Sequence, residues 1–217
     1  MRKPIFQLPI LLTALLGAAM TFFFVKESQK KRELRLVLPR TDVPLLLDIN
    51  ERLTKVNLPS LRTVVLPDGD FEVRVWIGFG LNGEDCFILR HFSDQWSAIH
   101  LQGMAESSPF PNSLTPLSSP KSGWNKAWQR FIDARILTLP DAHEVNCNVN
   151  MIDGGPSYVV ESNIDMTYRT YSYGNPWYDN PPFYNRCNEA KQMILIGKII
   201  GKEFGLEHFD LSEVQFR

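Results

Sequence analysis

Residues 71–102 read FEVRVWIGFGLNGEDCFILRHFSDQWSAIHLQ. Side chains on a strand alternate between two faces. In FEVRVWI (71–77) that alternation puts Phe71, Val73, Val75 and Ile77 on one side, the pattern of a strand. CFILRHF (86–92) is apolar on both sides, as a central strand must be, and WSAIHLQ (96–102) follows a turn at Ser93-Asp94. Three strands in succession with short turns predict an antiparallel meander.

Inside this stretch GFGLNG sets Gly78, Gly80 and Gly83 in the G-x-G-x-x-G spacing of a dinucleotide site. Such a site needs a helix next, whose N-terminus holds the pyrophosphate. Here a second strand follows, and Glu84 and Asp85 would repel an anion. The segment therefore reads as a Gly-rich hairpin loop, with Asn82-Gly83 supplying the positive φ angles.

The same alternation recurs later. VNCNVNM (145–151), SYVVES (157–162) and MTYRTYSY (166–173) are expected strands. Residues 104–122 are rich in Pro and Ser and read as a loop. Helical spacing marks three segments. Leu46, Ile49, Leu53 and Val56 follow Pro44 in a short first helix. Trp124, Ala127, Trp128, Phe131 and Ile132 lie on one side of 123–136, and Ala190, Met193, Ile194, Gly197, Ile200, Gly201 and Phe204 on one stripe of 185–205. Gly205 is a fitting C-terminal stop. The predicted class is α+β, with about six mostly antiparallel strands, two main helices in βββα-βββα order, and helices over one face. Gly197, Gly201 and Gly205 recur every four residues, which points to close packing of the last helix.

Outward from this core, residues 1–40 are of a different kind. The 21 residues Ile5–Val25 carry no charge. As a helix they would span about 31 Å, the thickness of a bilayer's hydrocarbon. The expectation is a membrane anchor over 1–25, or alternatively a cleaved signal peptide with Gly17 and Ala19 before the cut. A basic juxtamembrane linker (26–40) and a soluble domain (41–217) follow. The expected location is a single-pass membrane protein with its domain outside the cytoplasm. The six Lys/Arg of the linker argue the other way.

Net charge is −1, but residues 1–40 hold eight Lys/Arg against two Glu, leaving 15 basic and 22 acidic residues for the rest. An acidic domain has no basic face for phosphate backbones, so nucleic acid is not an expected partner. Three Cys exclude a disulfide-dense scaffold. In an exported domain Cys147 and Cys187 are the candidate pair, tying the last helix to the sheet.

Familiar catalytic motifs are absent. There is no C-x-x-C, H-E-x-x-H or G-x-S-x-G, and the four His are scattered. No metal or cofactor is expected on that basis. The leading functional expectation is a membrane-anchored, non-enzymatic binding domain. Its contact surface would be an aromatic edge of Tyr168, Tyr171, Tyr173, Trp177, Tyr178 and Tyr184, facing a peptide, glycan or protein partner. The alternative is a small hydrolase-like enzyme with a cleft around His100, Glu161 and Arg169, each mid-strand among apolar neighbours.

Overall fold

The computed structural model describes residues 35–37, 43–78, 85–102, 113–145, 158–174 and 187–210. The first element is a short strand, β1 (Arg35–Val37), followed by helix α1 (Val43–Lys55). The meander is β2 (Phe71–Ile77), β3 (Asp85–Phe92) and β4 (Gln95–Gln102). Then come β5 (Ser113–Pro116), helix α2 (Trp124–Asp133), β6 (Tyr158–Ile164), β7 (Thr167–Tyr173) and helix α3 (Asn188–Phe204). Single 3-10 turns lie at Ala142–Glu144 and Glu207–Phe209.

All seven strands join one sheet in the order β1-β7-β6-β2-β3-β4-β5. Every pairing is antiparallel except β1 with β7 at one edge. β2 and β3 pair antiparallel, which excludes the strand–helix unit a dinucleotide site requires. Phe92 pairs with Gln95 across Ser93 and Asp94, both at positive φ, as a two-residue hairpin turn demands.

The sheet is covered on both faces, not on one as expected. On one face Phe71, Val73, Val75, Phe87, Leu89, Val160 and Tyr171 pack with Phe131 of α2 and Met193 and Ile200 of α3. On the other, Trp76, Cys86, Ile88, Leu101 and Val159 pack with Ile49 and Leu53 of α1. The reason is in β2 and β3. Trp76, Cys86 and Ile88 are apolar groups on the second face, and leaving each in water would cost about 1.5–3 kcal/mol. α1 supplies the cover through two residues one turn apart.

Two short edge strands go beyond the six expected. β5 lies within the stretch expected as a loop, and its Pro116 suits an edge, where no ladder donor is needed. The expected strand at 145–151 lies almost wholly outside the described residues. The apolar segment 5–25 also lies outside them. Among the described residues no helix is long and apolar enough to cross a membrane.

α3 ends where Gly205 turns left-handed at φ 75° and its N–H bonds back to Gly201 O at 3.0 Å. The chain then doubles back, and residues 206–210 lie against the helix they have just left. Gly197 and Gly201 make this possible. A methyl group at 197 would run into the carbonyl oxygen of Phe209 and stand 2.7 Å from the Tyr158 hydroxyl. That hydroxyl donates to Phe209 O at 2.6 Å and pins the returning segment to β6.

Candidate metal centre

The doubled-back segment carries His208 over the sheet. Asp85 opens β3, and His100 lies near the end of β4, paired with Phe87. Asp85 and Phe87 alternate onto the same face, so Asp85 and His100 are diagonal neighbours on the α2/α3 side. His208, in the 3-10 turn after Gly205, closes the group from above.

One oxygen of Asp85 and one imidazole nitrogen from each histidine all lie within 4.8 Å of one another. Asp85 Oδ2 is 2.8 Å from His208 Nε2 and 3.5 Å from His100 Nε2. His100 is 4% exposed, yet its Nε2 makes no hydrogen bond. Burial pushes the Asp85 carboxyl up, but the two imidazoles outweigh it and hold the group down at about 2. The carboxylate is thus charged at any ordinary pH. Its charge is directed at two nitrogens that are both able to ligate.

Two imidazoles and a carboxylate form a donor set that suits zinc and other divalent transition metals. With bonds of about 2.0–2.1 Å, tetrahedral ligand atoms stand roughly 3.3 Å apart. The two spacings from Asp85, 2.8 and 3.5 Å, bracket that value, and the nitrogens of the two histidines lie within 4.8 Å of each other.

The residues singled out from sequence are distributed differently. His100 belongs to this group, but Glu161 and Arg169 do not join it. Glu161 alternates with Val159 onto the α1 face, where it accepts from Trp76 Nε1 at 3.0 Å and from Tyr168 Oη at 2.9 Å. Arg169 is on β7, four strand spacings or roughly 19 Å from β4. Its guanidinium donates to the carbonyls of Leu137 and Leu139 and stacks 4.9 Å from the Tyr171 ring. Both residues hold the scaffold together.

The aromatic edge is also altered. Tyr168, Tyr171 and Tyr173 are at most 1% exposed. Their hydroxyls donate to Glu161, to Ile136 O and to Pro140 O respectively. They are core residues with satisfied polar tips, buried and not on an exposed edge as expected. Trp177, Tyr178 and Tyr184 lie outside the described residues.

Cys86 is free and fully buried, and burial pushes its thiol well above the ordinary range, which makes it an inert packing group. Cys187, at the N-cap of α3, is disulfide-bonded. Cys147, its expected partner, lies outside the described residues.

Sequence reasoning passed over Asp85 and His208 because the three residues are separated by 15 and 108 positions, with no local motif. The glycine stripe of α3 was the available signal, since close packing on that face is what brings His208 back over β4. Comparison of the chain with known protein families, with curated proteins and with solved structures finds no match.

Proposed function

We propose that this domain binds one divalent transition-metal ion of the zinc class through Asp85, His100 and His208. The observation that carries the reading is the buried His100 Nε2, which has no hydrogen-bond partner and faces a carboxylate and a second imidazole. An Asp85–His208 ion pair by itself would be an ordinary feature of a half-exposed surface. It leaves the buried His100 with only a long 3.5 Å contact to the same carboxylate. A buried polar atom without a partner costs about 1–3 kcal/mol, and a ligated ion removes that cost.

This reading keeps a binding role for the domain and moves it from the aromatic edge to the end of the β3–β4 hairpin. The disulfide at Cys187 suits an oxidising compartment, which supports the export expected from residues 1–25. The test is metal content. Protein stripped with chelator and dialysed against zinc should retain one ion per chain, and His100→Ala should retain none. Wild-type protein that emerges without zinc would end the proposal.

A further inference from the structure

We infer that the bound ion keeps one coordination position open to solvent, occupied by a water that a small anionic ligand displaces. The inference rests on the metal-binding reading above and concerns what the site does once loaded.

Closed structural zinc sites use four protein ligands, whereas reactive ones use three and leave the fourth position to water or substrate. Among the described residues the group is three ligands only, with no further His, Cys, Asp or Glu joining it. The three also differ sharply in exposure. The His100 side chain is 5% exposed and that of Asp85 15%, but that of His208 is 45%. The ion would therefore be held from beneath by the sheet and from one side by the 3-10 turn, with its remaining side toward water. One wall is apolar, since the Phe209 ring lies 4.8 Å from that of His208, tilted against it, and 6.0 Å from that of His100. A charged ion beside such a wall strengthens its hold on an incoming anion, because few other dipoles screen it.

A carboxylate- or hydroxamate-type oxygen, or azide as a simple stand-in, is the chemistry that fits this position. It donates an electron pair to the ion, and the water leaves intact. No net redox or proton transfer is required.

The experiment uses cobalt(II), which takes zinc-type sites and reports its coordination through visible absorption. Full-length protein is loaded with cobalt, and azide, then acetohydroxamate, is added. Both ligands should shift the spectrum with saturable, single-site dependence, and acetohydroxamate should be displaced on dilution. Cobalt that binds while its spectrum ignores both ligands would mean a closed site. That overturns the open position and leaves metal binding standing. If cobalt does not bind to wild-type protein at all, both readings fall together. His208→Ala, which removes the exposed ligand, should bind no cobalt while keeping the wild-type far-ultraviolet dichroism, which separates loss of the site from loss of the fold.

Discussion

The two faces of the sheet handle buried charge in opposite ways. On the α1 face Glu72, Arg74 and Glu161 are buried together. Arg74 Nε bonds Glu72 at 2.6 Å, Arg90 Nε bonds the other Glu72 oxygen at 2.7 Å, and Arg74 Nη2 donates to Pro59 O. Glu161 takes two neutral donors. Two arginines meet two glutamates, and each carboxylate oxygen has a donor. One guanidinium nitrogen, Arg74 Nη1, is left over, but the charge it belongs to is compensated. On the other face, Asp85, His100 and His208 bring together one acid and two bases that are neutral when unprotonated, and the buried His100 Nε2 has only a long 3.5 Å contact with the shared carboxylate. The first group balances its charge internally. On the proposed reading, a bound cation completes the second. Buried polarity is therefore not by itself the mark of a site; what sets the second group apart is one carboxylate shared by two imidazoles within reach of one another.

That contrast can be broken by removing a member of each group. The largest effect is expected at Arg74. Replacement by Met leaves Glu72 and Glu161 in a dry environment with one fewer cation, and breaking a buried pair costs about 3–5 kcal/mol. Urea unfolding of Arg74→Met should show a loss of that size. A loss below about 1 kcal/mol would mean the network is hydrated and does not hold the sheet.

Next comes Gly197→Ala. The new methyl meets a backbone carbonyl, which cannot swing away as a side chain could. Overpacking of this kind costs about 1–3 kcal/mol. It should also push Phe209 outward and carry His208 with it, so stability and zinc affinity fall together. Calorimetric titration of the variant with zinc checks this. Unchanged affinity would show that His208 is placed independently of the helix it follows.

Tyr168→Phe is a smaller test on the α1 face. It removes one charge-assisted donor from Glu161, worth about 1.5–3 kcal/mol, and leaves the other from Trp76 in place. Zinc binding should be unaffected, because Tyr168 and the metal ligands are on opposite sides of the sheet. A drop in zinc affinity would show that the faces are coupled.

Legibility in the sequence follows the same division. Strands β2, β3, β4, β6 and β7 could be read because alternation and β-branched runs report burial residue by residue. Both later helices could be read from their apolar stripes, and the stop at Gly205 from glycine's tolerance of positive φ. β1 and β5 could not, since three or four residues at an edge carry no periodicity, and β5 contains a proline. The covering of the second face was written in Trp76, Cys86 and Ile88. Glu72 and Arg74 share that face with them and are buried there too. The tyrosines of β7 misled: an aromatic ring with a polar tip reads as a recognition surface, although here each tip bonds a backbone carbonyl or Glu161. Of the site only His100 was singled out. Its companions come from a strand end and a doubled-back turn, and their meeting depends on tertiary packing that no spacing along the chain records.

The smallest change in stability should accompany the largest change in function, at His208. Its side chain is 45% exposed, and the metal-free protein loses only a half-exposed contact with Asp85 when it is truncated. Surface changes of this kind stay within about 0.5 kcal/mol. Metal-free His208→Ala should therefore melt with metal-free wild type. Adding zinc separates them. An ion that binds only the folded state stabilises it by about 2.7 kcal/mol at a hundredfold excess over the dissociation constant. Wild type should gain a rise in Tm of that origin, and the variant should gain none. If both rise equally, zinc is held elsewhere; if neither rises, the unpartnered nitrogen of His100 is a plain cost to the fold and the contrast between the two faces disappears.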